Sequence, residues 1–259
     1  MLSKYLKPFY VNRSNLIRIG PKKDGGYIVD KRILKEKVTL ISCGLNDDWE
    51  FEKDFIKNSP NSKIVAFDHT VSNDFWIKRF KKDIISFLLL KKIKPNQILD
   101  IFKYIDYRFF FKKNNIHYKK KIVSKVKNNN EISINKILKP YTRVVLKIDI
   151  EGDEYKILNQ IEYNSHKILF LIIELHNIDK NLNKITKFLK KLDLKIIHIH
   201  ANNFGGIDYK KDPKVIELSL LNSKIIKIKN TYSNKKYPIV NLDYKNLKRR
   251  DDIKIKFRK

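Results

Sequence analysis

Three stretches of this sequence end an apolar run on residues able to bind a cation or move a proton. They are Lys147-Ile148-Asp149-Ile150-Glu151-Gly152-Asp153-Glu154, Ile172-Ile173-Glu174-Leu175-His176 and Ile197-His198-Ile199-His200. Side chains two apart on a strand share a face, so Asp149 with Glu151, Glu174 with His176, and His198 with His200 form same-side pairs. If the three strands are neighbours, the pairs converge on one rim. Oxygen and imidazole donors of this kind suit Mg²⁺, Mn²⁺ or a softer transition ion, which would acidify a substrate hydroxyl while an imidazole takes its proton. The expected metal ligands are Asp149, Glu174 and His176, with His200 as general base. The alternative is a rim without metal, in which the carboxylates orient substrate hydroxyls. Lys147, in an apolar run, is expected to be a buried partner of one of these acids or to touch substrate.

The elements that must position these groups follow a regular order. Val38 to Cys43 is an apolar run that stops at Gly44-Leu45-Asn46-Asp47-Asp48, and a helical pattern starts at Trp49. A glycine after a first strand lets a nucleoside approach the backbone. Lys63 to Phe67 is a second such run, ending at Asp68, where a carboxylate can accept the hydroxyls of a ribose. The loop is neither the three-glycine dinucleotide fingerprint nor a phosphate-binding Walker loop. Further strands are expected over His117 to Val126, Arg143 to Ile148, Ile168 to Leu175 and Leu194 to Ala201, with an antiparallel strand over Val215 to Leu221 at the end of the sheet. Amphipathic helices are expected from about Glu154 and over Asn181 to Leu192. Alternation of this kind predicts an α/β fold with a mainly parallel sheet covered on both faces.

One domain is expected over residues 1–259. Residues 1–36 form an N-terminal flap, in which Asp24-Gly25-Gly26 between two β-type runs signals a hairpin; Asp24 or Arg18 on it could face the site. Residues 72–113 have helical apolar spacing and read as a helical insertion, ending in the aromatic and basic Phe109-Phe110-Phe111-Lys112-Lys113. It could be a lid, a homodimer face or a peripheral membrane patch. Residues 222–259 form a C-terminal extension. The 57 Lys and Arg against 28 Asp and Glu give a net charge of +29, but Lys, Ile and Asn are enriched together along the whole chain and the lysines form no single block. A single cysteine rules out an internal disulfide, and the first residues lack the apolar core of a signal peptide, so a cytoplasmic protein is expected.

The ordered set LISCGLNDDWEFE, VAFD, VVLKIDIEGDEY, LIIELH and IHIHANNFGG resembles the FkbM-type methyltransferases that use S-adenosylmethionine. RIGPKKDGGYIV and YPIVNLDYKNLKRRDDI are similar to the flanks of that family's sugar-modifying branch, which includes methylation of capsular heptoses. The resemblance implies a Rossmann-like class I fold with seven strands, the last antiparallel. It also implies that Gly44, Leu45, Asn46, Asp47, Asp48 and Glu151 surround the donor, that Asp68 holds its ribose, and that the acceptor is a sugar hydroxyl. The expected substrate is a small nucleotide-activated sugar. An RNA methyltransferase, which the charge would suit, and a non-catalytic membrane-docking protein are the competing classes; no Asn-Pro-Pro-Tyr-like motif for base amino groups is present, which weighs against nucleic acid.

Overall fold

In the computed structural model the described residues are 1–89, 102–112 and 114–258. The chain opens with a hairpin of β1 (Leu16–Ile19) and β2 (Tyr27–Asp30). The main sheet then takes β3 (Thr39–Cys43), β4 (Lys63–Phe67) and β5 (Asn115–Tyr118). A two-stranded parallel ribbon of β6 (Lys121–Ile122) and β7 (Glu131–Ile132) follows, and the main sheet resumes with β8 (Val144–Ile148), β9 (Ile168–Leu175), β10 (Leu194–Ala201) and β11 (Ile216–Asn222). The expected run from His117 to Val126 is thus two strands, broken at Lys119 and Lys120, and only the first half joins the main sheet.

The seven-stranded sheet has the order β10-β11-β9-β8-β3-β4-β5, with β11 alone running against the rest. Every residue of β8 and β9 is buried, as a strand covered on both faces requires, and their runs of Val, Ile, Leu and Phe, interrupted only by Lys147 and Glu174, are the sequence form of that environment. Among the described residues the α-helices are α1 (Glu50–Asn58), α2 (Asn73–Leu88), α3 (Lys103–Phe110), α4 (Ile134–Leu138), α5 (Leu158–Tyr163) and α6 (Ile178–Lys191). In α6, Ile178, Ile185 and Phe188 turn inward at helical spacing while the lysines face water. The seven-stranded order and alternating connections give the expected class I architecture. One expectation is corrected: the antiparallel strand does not close the sheet but inserts between β9 and β10. The helical insertion is present as α2 and α3, and the expected pattern over Lys94-Pro95-Asn96 and Ile98 to Ile101 lies outside the described residues.

Candidate active site

Sheet register lines up the chemical groups along the carboxyl edge. Cys43 pairs with Phe67 of β4 and Ile148 of β8, and Ile148 pairs with Ile173 of β9. The residues one step further, Asp68, Gly44, Asp149 and Glu174, therefore stand side by side on four neighbouring strands. Antiparallel pairing continues the row, matching Glu174 with Glu217 and Glu217 with His200.

A cleft of about 530 Å³ opens over this edge, lined by Gly44 through Asp48, Asp68, Lys147, Asp149 and Glu151, with Asp24, Gly25 and Tyr27 of the flap on the opposite side. Gly44 has φ +86°, and a Cβ there would stand 1.6 Å from the Asp149 carbonyl oxygen. Only glycine lets the two strand ends meet. Asp68 Oδ2 accepts from the amides of Leu45 and Asn46 at 2.8 and 2.7 Å, and Oδ1 from the amide and hydroxyl of Thr70 at 2.7 and 2.6 Å. Burial pushes its carboxyl up, but those bonds, Thr70's first, outweigh it and leave it below the ordinary range. Asp68 thus ties the Gly44 loop to Thr70, and a ribose expected at Asp68 would have to share or replace some of those donors. Asp47 pairs with Arg79 and, at 3.5 Å, with Lys103; Asp48 Oδ1 accepts from the Glu50 amide at the start of α1.

Lys147 donates to the Gly44 carbonyl at 2.9 Å and pairs with Glu52 of α1 at 3.7 Å. Burial lowers its ammonium, but Glu52, then Asp149, outweigh that and hold it above its usual value, so it remains charged. Its ion partner is therefore an acid outside the expected rim. Glu52 is itself fixed by the Ser42 hydroxyl at 2.6 Å.

Asp149, Glu151 and His176 each place one donor atom within 4.8 Å of the others. Glu151 reaches this group because it adopts φ +53°, followed by Gly152 at φ +98°. Such a conformation in a non-glycine residue costs energy and concentrates at functional sites. Glu154 holds His176 twice, accepting from its backbone amide at 2.6 Å and sitting 3.0 Å from Nδ1, which leaves Nε2 turned toward Glu151 at 3.4 Å and Glu174 at 3.6 Å. Burial would lower the imidazole, but the bond and charge of Glu154, with Asp149 and Glu151, hold it above its ordinary value.

Tyr27 joins two acids. Its hydroxyl donates to Asp149 Oδ2 at 2.9 Å and lies 3.4 Å from Glu174 Oε2. Burial first, then the charge of Asp149, push the phenol far up, so it stays a donor. Asp149 is raised by burial, against the opposing effects of Lys147 and the Tyr27 bond. Glu174 is pushed well up by burial and by the charges of Asp149, Glu217 and Asp24, and Asn202 donates to its other oxygen at 2.9 Å.

His200 is corrected in position. With β11 interposed, its backbone stands two strand steps, roughly 10 Å, from that of Glu174. Its Nδ1 faces Glu217 at 3.2 Å, it is buried, and it does not line the cleft; His198 likewise meets Asp243 of the C-terminal extension at 3.2 Å. Asn246 of that extension bridges Asp24 and Glu217, each at 2.7 Å, so the extension fastens the flap. Glu174 does not line the cleft, and the three-membered cluster has Glu151 where Glu174 was expected. Tyr27, Glu154, Glu52, Asn202, Glu217 and Asn246 escaped the sequence reading, since their partners lie far along the chain or within a motif that gives no pairing.

The sequence matches the model of the methyltransferase FkbM domain over residues 12–196. The chain belongs to the FkbM methyltransferase family. Its activity class is S-adenosylmethionine-dependent methyl transfer. No curated protein matches this FkbM methyltransferase. Among solved structures it is similar to a fibrillarin/Nop5p complex at 10% identity, covering 74% of this chain and 78% of that one, TM-score 0.39. Precorrin-6y C5,15-methyltransferase from Geobacter metallireducens GS-15 is 13% identical, with 74% and 83% covered and TM-score 0.36. Aeropyrum pernix fibrillarin in complex with natively bound S-adenosyl-L-methionine is 12% identical, with 84% and 87% covered and TM-score 0.36.

Proposed function

We propose that this FkbM methyltransferase methylates a hydroxyl of a sugar, with nucleotide-activated precursors of surface polysaccharide, heptoses among them, as the substrate class. The observation that carries the reading is that Asp149 and Glu151, at the end of the strand beside the Gly44 loop, line the same cleft as that loop, with His176 of the next strand close to both. Bound S-adenosylmethionine supplies an electrophilic methyl group on a sulfonium. The Gly44 to Asp48 loop and Asp68 fit it, because they line the cleft together beside Asp149. Asp149 takes the proton of the acceptor hydroxyl on Oδ1, since Tyr27 occupies Oδ2. Its raised affinity for a proton makes it a better base than an ordinary carboxylate. With the proton passing to Asp149, the acceptor oxygen would be free to take the methyl group that the bound donor would supply; beyond this, in-line transfer needs mainly positioning.

The same three residues fit a divalent cation. Asp149 and Glu151 offer carboxylate oxygens, and Glu154 fixes His176 so that Nε2 faces them. A cation held there would take Asp149 Oδ1 as a ligand and lower the pKa of the acceptor hydroxyl in place of proton transfer to that carboxylate. Incubation with S-adenosylmethionine and a panel of activated sugars, read by product mass and NMR, tests the substrate class; methylation of RNA alone would refute it. Turnover unchanged by chelation, with no metal in the active enzyme, would remove the cation.

A further inference from the structure

The helical insertion has two apolar sides. The inner one is packed: Trp76 and Tyr107 are buried with ring centres 5.1 Å apart, and Asp106 accepts from Trp49 Nε1 at 2.9 Å. The outer one is wet. On α2, Ile77, Phe80, Ile84 and Leu88 are 53%, 50%, 37% and 71% exposed, at steps of three and four residues that stack them into one stripe. On α3, Ile105 and Phe109 continue from Phe102 in the same spacing, all of them exposed. Basic residues flank both stripes. Lys78, Lys81 and Lys82 of α2, Arg108 of α3 and the following Lys112 are exposed, and Lys112 Nζ lies 4.3 Å from the centre of the Phe109 ring. Against them α2 carries Asp74 and Asp83, Asp74 in its first turn, while the acid of α3, Asp106, engages Trp49 and Lys53.

We propose that this face docks on the surface of an anionic lipid bilayer. Apolar stripes edged by lysine are the composition of helices that lie in a bilayer interface, with their hydrocarbon in the acyl boundary and their charges among anionic headgroups. A soluble polyanion would satisfy the lysines and leave the stripes in water. A second copy of the chain would cover the stripes but bring Lys78, Lys81, Lys82, Arg108 and Lys112 against their own images. The bilayer interface alone takes both. No helix among the described residues is long and apolar enough to cross a membrane, so the helices lie on the surface. The insertion is tied to the cleft through Arg79 and Lys103, both of which pair with Asp47, so docking would bring the cleft toward the lipid.

The full chain would be sedimented with vesicles of phosphatidylglycerol and phosphatidylcholine, and with pure phosphatidylcholine. Binding to the anionic vesicles that falls with salt is expected. Replacing Lys78, Lys81 and Lys82 together by Gln should weaken it about a hundredfold, at about fivefold for each basic residue near the surface. The triple change Ile77→Ser, Leu88→Ser, Phe109→Ser should weaken it at least tenfold, with thermal melting near that of the wild type and monomer mass unchanged because more than half of each side chain is already in water. Equal binding to both vesicle types, no binding to either, or full binding by the serine variant would overturn the proposal. A dimer in light scattering that the serine variant abolishes would assign the face to a second copy instead.

Discussion

Replacing Tyr27 by Phe removes a single oxygen from the centre of the site. The ring stays, so no cavity opens, and the loss is confined to the hydrogen bond with Asp149 at 2.9 Å and the proximity to Glu174 at 3.4 Å. A hydrogen bond to a charged group contributes about 1.5–3 kcal/mol. Taking about 2 kcal/mol, a chain of this size should melt about 4–8 °C lower. Because that bond also holds Asp149 down against burial, its removal should raise the Asp149 carboxyl further, moving the acid limb of the pH–rate profile upward. If Asp149 is the base, kcat/KM at neutral pH should fall about tenfold to thirtyfold, the rate equivalent of about 1.4–2 kcal/mol. Affinity for S-adenosylmethionine, measured by titration calorimetry, should hold, since Tyr27 touches none of the Gly44 or Asp68 contacts. A variant with wild-type kcat/KM and an unmoved acid limb would refute the link from flap to Asp149.

Gly44→Ala should abolish donor binding and lower stability by more than ~2 kcal/mol, since φ +86° and the Asp149 carbonyl both oppose a Cβ; normal calorimetric affinity would contradict this. Asp68→Asn turns one acceptor into a donor facing amides, and the donor dissociation constant should rise at least tenfold, the effect of about 1.4 kcal/mol. Glu174→Gln tests the buried acids through pH. The Glu174 carboxyl is raised, so the native state binds its proton more tightly than the unfolded chain does; stability from this group is complete below the unfolded value of about 4.3 and is lost as pH rises toward the native one. The Gln variant should therefore melt above the wild type at pH 8 and lose that advantage near pH 4. An advantage independent of pH would show that Glu174 is charged in the native protein.

The fold was largely legible because its strands are buried on both faces, and their runs of Ile, Leu and Val end at residues that cannot stay buried alone. Gly44, Asp68 and Asp149 could be placed together because strand ends in a parallel sheet share one edge. The site's second half was less legible. His198 and His200 carry the same alternation as Glu174 and His176, and nothing in either run reveals that Ile216–Asn222 pairs between them. The partner of His176 was within sight, since Glu154 belongs to the same motif as Asp149 and Glu151. That motif shows acids at a strand end but not which one turns back to accept from Nδ1 of an imidazole on the next strand. Tyr27 lies 122 residues from Asp149, and its β-type surroundings give no sign of a bond that depends on how the flap folds over the sheet.

In the proposed reaction Asp149 takes a proton from an acceptor beside a donor held by Gly44 and Asp68. Asp149→Asn should therefore separate two readouts made on one preparation. Calorimetric affinity for S-adenosylmethionine should stay within about threefold of wild type, and methyl transfer to the preferred activated sugar should fall at least a thousandfold, near the upper part of the range for a general base. Wild-type turnover by the Asn variant would contradict the account.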